Sequence, residues 1–386
     1  MRLALNLLSA HVGAGIVCNR ALLGALARVH AAAEYHVVLG RTQEALARAV
    51  PPGFHVHRLR FDSRRLAARL FVEQVVLPFL LWRWQIDVLY SVGNLTTLVS
   101  PCPTVVVVEN ANPFSIFRLR WTWQQRLRNI VLRHLSRASA KRAWRVRFVS
   151  QTSRDALVPH LGIQPDKTFV IPHAAGPWDE IQPEDGLPPR FVLTVSSLAP
   201  HKNLERLIQA FARLVGEGSY EGSLLIVGAP VDRSTVRAVE RLLERLGLER
   251  RVTLLGEVPH ERLAGLYRRA DAFVTASLEE TFGLPVLEAM GFGVPVVVGE
   301  FVPARAGSCL PFREICGDAA LYCDPLSPES IAEALARAVS DRGVRTELTA
   351  RAKARAALFT WDETARALKT VFRVGCLAHA GSRRDH

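Results

Sequence analysis

"SLEETFGLPVLEAMGFGVPVVV", Ser277 to Val298, sets two carboxylates, Glu280 and Glu288, around a turn and then runs on into core. Gly283 and Pro285 stand between the acids; Gly291, Gly293 and Pro295 follow them. Pro285 suits the first turn of a helix, where its missing N–H has no intrahelical partner to lose. Asp271–Ser277 reads as a strand ending in a loop. Glu280 therefore falls on a strand-to-helix loop and Glu288 in the first turns of the helix. Gly291 and Gly293 end that helix, and Pro295 opens the next buried strand. Ligands of open α/β sheets bind at the carboxyl ends of parallel strands, which is where both acids fall. The N–H groups of Thr281, Phe282, Gly283 and Leu284, with the helix dipole behind them, can hold an anion. Alone, Glu288 reads better as a solvated acid near a helix start and Glu280 as a solvated loop acid.

The rest of the chain has the same rhythm. Short apolar, β-branched runs recur at Leu3–Leu8, Tyr35–Leu39, His55–Leu59, Asp87–Tyr90, Thr104–Val108, Val146–Val149 and Thr168–Ile171. They are apolar almost throughout rather than alternating, as in parallel strands covered on both faces. Helical patterns such as Asn19–Val29 lie between them, which predicts a doubly wound α/β sheet. "PHAAGPWDEIQPEDGLPPR" then carries five prolines and reads as an interdomain linker. Strands restart at Phe191–Val195, Leu224–Val227, Val252–Leu255, Ala272–Thr275 and Pro295–Val298. Helices are expected at Leu204–Leu214, Thr235–Leu246, His260–Arg269, Ser330–Val339 and Trp361–Phe372, with "AGSRRDH" as a frayed tail.

Bulk properties narrow the function. The 386 residues suggest two or three domains, and 49% hydrophobic content is enough for large cores. The formal net charge of +13, mostly arginine, points to an anionic partner: nucleic acid, anionic lipid or phosphorylated small molecules. The six cysteines form no C-x-x-C pair and have no histidine cluster beside them, so they read as reduced, mostly buried thiols, with no metal site expected. "MRLALNLLSAHVGAG" imitates a leader peptide, but Asn6 interrupts the apolar run and a first strand is the better reading. "VVLPFLLW" is too short to span a bilayer and carries Pro78. The sequon Asn94-Leu95-Thr96 reads as chance.

Taken together, "EETFGLPVLEAMGFGVPVVV", "VSSLAPHKNLERLIQAF", "SLLIVGAP", "RVTLLGEVPHERLAGLYRRADAFV" and "CGDAALYCDPLSPESIAEAL" resemble the retaining glycosyltransferases of family 4, with their E-x7-E signature and GT-B fold. "FVSQTSRDALVPHLGIQPDKTFVIPHAAG" extends the resemblance into the first half, more loosely. The resemblance implies two Rossmann-like doubly wound parallel-sheet domains facing across a cleft. Residues 1–175 would bind acceptor, 176–190 link, 191–360 bind the nucleotide sugar, and 361–386 cross back as a terminal helix and tail. Glu288 would accept from the ribose hydroxyls, Glu280 would hold hydroxyls of the transferred sugar, and the amides of Thr281 to Leu284 would fix sugar and diphosphate. Lys202 would neutralise the diphosphate leaving group, a charge that grows in the transition state. The nucleobase would lie near Gly256–Val258. The expected reaction moves a sugar from GDP-mannose or a UDP-sugar to a glycan or lipid-linked glycan hydroxyl, with retention. No metal or other cofactor is expected, since Lys202 and helix N-termini do what Mg²⁺ does elsewhere. "PHKN" and "GDAALYCDP" lean towards mannosyltransferases.

Two departures stand out. Relatives often carry an arginine shortly before the lysine; Ser196-Ser197-Leu198-Ala199-Pro200-His201 stands here instead, so Ser197 and His201 would have to compensate. Relatives also carry a first-domain histidine where "VVVVENANPF" places Glu109 and Asn110; Asn110 is assigned to the reacting centre. In "HVGAGIVCNRALLGAL", Gly13 and Gly15 allow a ligand to approach backbone. Cys18 replaces the third glycine of a dinucleotide fingerprint and Arg41 follows the second strand, so a Rossmann dehydrogenase is disfavoured. From Arg118 to Arg147 there are ten basic residues and no acid, interleaved with Trp121, Trp123 and Trp144. Arg126, Arg133, Arg137 and Lys141 would share one helix face, with Leu127, Val131, Leu135 and Ala138 on a neighbouring one. Such a helix fits an anionic membrane surface; no nucleic-acid module accompanies it. A cytoplasmic protein, peripheral on the inner membrane face, is the expectation. An inactive scaffold of a glycan-assembly complex and a nucleotide-sugar epimerase on the same fold remain alternatives.

Overall fold

The structure, a computed structural model, describes residues 1–384 apart from 12–13, 118–120, 177, 179–185 and 302–307. Gly13, Arg118, Arg120, residues 177 and 179–185 of the proline-rich linker and the final two residues of the tail lie outside the described residues.

The described chain forms two compact units. The first comprises residues 1–114, 126–174 and 359–386, the second residues 115–125 and 175–358. The first holds β1 (Arg2–Asn6), β2 (Glu34–Gly40), β3 (His55–Leu59), β4 (Val88–Ser91), β5 (Thr104–Val108), β6 (Arg145–Phe148) and β7 (Thr168–Val170). They form one seven-stranded sheet in the order β3-β2-β1-β4-β5-β6-β7, every pair parallel. The second unit holds β8 (Phe191–Val195), β9 (Ser223–Val227), β10 (Val252–Gly256), β11 (Ala272–Thr275), β12 (Val296–Gly299) and β13 (Leu321–Cys323). Its six-stranded parallel sheet has the order β10-β9-β8-β11-β12-β13.

The apolar runs are buried as their composition demands. All residues of β4, β5, β11 and β12 are buried, because helices cover both faces of a parallel sheet. The edge strands are less covered: β7 and β10 are largely half-buried, and β3 leaves His55, Val56 and Arg58 exposed. β13, "LYC", was too short to announce itself. Each sheet reverses its winding once, between β1 and β4 and between β8 and β11. At such a switch point the connections leave to opposite sides and open a crevice outside the strand ends.

Helices α1 (Ala14–Val29), α2 (Trp123–Arg142), α3 (Leu204–Gly216), α4 (His260–Arg269), α5 (Leu284–Phe292) and α6 (Trp361–Arg384) matter below. α6 packs on α1: Arg28 pairs with Asp362 at 2.7 Å, and Lys369 donates to the Val29 carbonyl at 3.3 Å. It runs to Arg384, so "AGSRR" continues a helix rather than fraying. "VVLPFLLW" contributes to the turns Val72–Val76 and Leu77–Arg83, with Pro78 in a first helical turn. Among the described residues no helix is long and apolar enough to cross a membrane.

Asn94 stands in the left-handed region with φ 69°. Its side chain accepts from the Glu109 and Asn110 N–H groups at 2.9 and 3.1 Å and donates to the Asn110 carbonyl at 2.8 Å. Asn94 and Thr96 are buried, so the apparent sequon is a structural tie. Arg147 is buried too, its guanidinium donating to the Ile171 and Pro172 carbonyls and the Tyr90 hydroxyl.

Candidate active site

The two loops at the second sheet's switch point bring the predicted residues together. β8 leads through Ser196–Asn203 into α3; β11 leads through Ala276–Gly283 into α5. The Leu278 N–H donates to the His201 carbonyl at 2.8 Å and ties one loop to the other. Asn203, at φ 57°, turns the first loop into α3 and donates to the Ala276 and Pro325 carbonyls at 3.0 and 2.6 Å. The Lys202 ammonium then reaches Glu280, Nζ to Oε1, at 2.5 Å, with both side chains less than a fifth exposed.

Glu280 is held by its backbone as well. Its N–H donates to the Cys309 carbonyl at 2.7 Å, and the Cys309 thiol donates to the Glu280 carbonyl at 2.8 Å. Burial pushes that thiol's pKa far up, so it stays a protonated donor. Gly283, with φ 88°, caps the start of α5; a Cβ there would meet Phe312 at 2.6 Å. Thr281, Phe282, Gly283 and Leu284 lead directly into α5, beside its positive dipole end.

Glu288 is buried on α5 and accepts a hydrogen bond from the Tyr267 hydroxyl at 2.9 Å. His260 Nε2 lies 3.8 Å from its other oxygen. The Trp178 ring lies flat on His260, 4.1 Å away and 3° from parallel, and meets Phe292 edge-on at 4.9 Å. α4, which carries His260 and Tyr267, begins just after Gly256 and Val258 at the end of β10. Gly256 has φ 69° and open space where a Cβ would be.

Sequence reasoning missed Trp178, His260, Tyr267 and Cys309, which position predicted residues, and also Glu279. Glu279 is buried beside Glu280, accepts from the Ile116 N–H at 3.3 Å, and is raised to about 7, chiefly by burial. Trp178 lies in a stretch that reads only as linker; "EE" gives no hint which acid is the buried one.

His201 is corrected in one respect. Burial, with Lys202 beside it, holds its pKa well below the ordinary value, and its Nδ1 is buried without a partner. A neutral imidazole does not replace the charge of a missing arginine. Ser197 is half-buried in the same loop. Gly15 and Asn110 belong to the first unit. Gly15 sits in the first turn of α1, where a Cβ would make only ordinary contact with Ala10 at 3.6 Å. Asn110 is exposed and accepts from the Asn112 N–H at 3.0 Å. Glu109 lies 3.6 Å from buried His173.

The basic stretch is partly committed elsewhere. Arg133 and Arg137 donate to the Pro113 and His160 carbonyls at 2.6 and 2.7 Å, and Trp144 packs where Gly375 of α6 passes. α2 buries Leu132, Ser136, Ser139 and Ala140, not the apolar face read from sequence; Leu127 and Val131 of that face are exposed.

Comparison with known proteins identifies the family. The family model "Glycosyltransferase Family 4" matches residues 18–175 and "Glycosyl transferases group 1" matches residues 179–355. O-antigen chain mannosyltransferase B of Escherichia coli is 36% identical over 172 residues, 45% of this chain and 42% of that protein. The chain spans about half the length, or less, of the curated relatives it matches. Sucrose-phosphate synthase from Thermosynechococcus elongatus superposes with TM-score 0.74 at 21% identity, over 97% of this chain and 98% of that one. The Anabaena protein HepE, solved with UDP and glucose, gives 0.72 at 20% identity, over 97% and 99%. These two likenesses concern the fold. Two family models that together span residues 18–355 place the chain in the family 4 glycosyltransferases, and the two-sheet α/β architecture with its structural likenesses gives the GT-B fold.

Proposed function

We propose that this chain is a retaining, metal-independent hexosyltransferase. It takes a sugar from a nucleotide sugar, GDP-mannose or a UDP-sugar, and transfers it to a hydroxyl of a glycan or lipid-linked glycan in surface polysaccharide assembly. The observation that carries the reading is the Lys202–Glu280 pair at the switch point. An ammonium and a sugar-binding carboxylate stand together where a helix start can take the diphosphate.

In this reading Glu288 accepts from the ribose hydroxyls while Tyr267 fixes its other oxygen. Glu280 accepts from sugar hydroxyls, and Lys202 stabilises the negative charge that grows on the departing diphosphate. The leaving phosphate takes the acceptor proton on the same face. Gly15 is assigned to the donor and Asn110 to the reacting centre. The mannosyl lean is supported by the Escherichia coli relative, and the nucleotide class by the UDP complex of HepE.

The chain acts at an anionic membrane surface on the cytoplasmic side. Exposed Trp123, Leu127, Ile130 and Val131 lie within the basic stretch. Phe71, Val75, Phe79 and Trp82 form a second exposed apolar stripe at helical spacing, with Arg64, Arg65 and Arg83 flanking it. Flotation with anionic and with zwitterionic vesicles tests this; equal recovery from both would count against it.

The first experiment is a thermal-shift panel of UDP, GDP, UDP-sugars and GDP-mannose in EDTA, on wild type and Glu288→Ala. A shift for one nucleotide class, lost in the variant, supports the donor site. Product NMR then reads the anomeric configuration, and inversion would rule out the retaining mechanism. No shift with a folded protein favours the non-catalytic scaffold, and isomerised donor without acceptor favours an epimerase.

A further inference from the structure

A second cluster of ligating side chains lies at the amino ends of β2 and β3, at the opposite end of the strands from the loops that follow β1 and β4. His36 and His55 are register partners in the parallel ladder. Glu34 is two residues before His36 and projects to the same side of β2. His36 Nε2 lies 3.1 Å and His55 Nε2 3.5 Å from one oxygen, Oε1 of Glu34. Oε2 of the same carboxylate is taken by Arg2 Nε at 3.1 Å, so Oε1 is the oxygen left facing the imidazoles. All three ligand atoms fall within 4.8 Å of one another.

Those spacings suit one cation. Nitrogen and oxygen ligands about 2.0–2.2 Å from a tetrahedral zinc ion lie roughly 3.3–3.5 Å apart. His57 supplies an outer partner: its Nε2 is 3.0 Å from His36 Nδ1. Trp84 stacks on His57 at 3.7 Å and on His36 at 5.5 Å, closing one side. The other side is open, since the His55 side chain is 56% exposed and Glu34 40%.

We propose that Glu34, His36 and His55 bind a divalent transition cation, zinc by preference, with a solvent position left open, and that the ion tethers edge strand β3 to β2. Two imidazoles and one carboxylate are a ligand set for zinc rather than for magnesium or calcium. On binding, both Nε2 atoms present lone pairs to the metal. His36 then carries its proton on Nδ1 and donates it to His57 Nε2, the outer hydrogen bond that metal-bound imidazoles usually have. The tether is structural and independent of the transferase reading. The carboxyl ends of the strands, where the nucleotide would bind, are not involved.

The test uses the full chain, stripped with EDTA and exchanged into chelator-free buffer. Zinc is titrated calorimetrically, and Cu²⁺ by quenching of tryptophan fluorescence. The expected result is one equivalent of zinc, a rise in the urea midpoint on its addition, and Cu²⁺ quenching that Trp84→Phe largely removes while zinc binding persists. His55→Ala and Glu34→Gln should weaken zinc at least tenfold, and His57→Phe about 10–100-fold by loss of the outer partner. His134→Ala, exposed on α2, should change nothing. His55 is half-exposed, so its variant folds. No uptake of zinc by wild type at micromolar concentrations would overturn the proposal. So would unchanged affinity in both His55→Ala and Glu34→Gln, since binding would then lie elsewhere.

Discussion

Lys202 donates to Glu280 at 2.5 Å across 78 positions of sequence. The two residues meet because β8 and β11 are neighbours at the point where the winding of the sheet reverses. If they act as one unit on the donor, their substitutions should not add. Lys202→Ala and Glu280→Gln should each lower kcat/KM by about 10²–10³. The double variant should be no more than about tenfold worse than the poorer single one. A full additive loss in steady-state kinetics would mean the two serve separate steps.

Tyr267→Phe removes the hydroxyl that donates to buried Glu288. Hydrogen bonds to charged groups are worth about 1.5–3 kcal/mol, so the urea midpoint should fall accordingly. Nucleotide affinity should fall with it, because the carboxylate loses the group that aims it. Unchanged nucleotide binding would remove Glu288 from the ribose role.

Glu279 gives stability a pH dependence. Its carboxyl is raised from an ordinary 4.5 to about 7 by burial, with Glu280 adding to the effect. The folded state therefore holds that proton more tightly than the unfolded chain. Its contribution is complete below about pH 4.5 and is lost as pH rises through 7. At about 1.4 kcal/mol for each pKa step, the loss approaches about 3 kcal/mol. Glu279→Gln keeps the shape without the charge. Urea midpoints of wild type and variant should agree near pH 4, part progressively between about pH 4.5 and 7, and stay apart above that, with the variant more stable. Parallel curves would show that Glu279 does not ionise in this range.

Gly283→Ala forces a side chain into φ 88° and against Phe312 at 2.6 Å. The left-handed backbone alone costs roughly 1–2 kcal/mol. The start of α5 should shift, so calorimetry should find donor binding weakened more than tenfold while circular dichroism stays that of a folded protein. Gly256→Ala serves as comparison: its φ is also positive, but the space beside it is open, and its effect should be smaller.

Much of the fold was legible because parallel strands are written as apolar runs. β3, β5, β8 and β11 begin and end where composition places them. β13 was not, since three residues give no period. Glu280 and Glu288 could be placed because glycine and proline punctuate the turn around them. The partners of those acids could not. Tyr267 and His260 look like ordinary helix residues until packing aims them at Glu288, and Glu34, His36 and His55 become a cluster only through the register of β2 on β3. The basic stretch was legible only in part for the same reason: the charges of Arg133 and Arg137 are visible in sequence, the carbonyls that engage them are not.

α6 belongs to the first unit, although the whole second unit precedes it in the chain. Thr364 reaches the Pro172 carbonyl at 2.9 Å, Phe372 meets Tyr90 edge-on at 5.8 Å, and Gly375 passes Val88 and Trp144. A ribosome makes these residues after everything they pack against. Nascent chains fold domain by domain as they emerge, and usually the amino-terminal domain finishes first. Here the amino-terminal unit cannot be completed first: the face for α6 stays uncovered until the second unit has been made. During translation the early half of this protein keeps an apolar face open until the late half has been made.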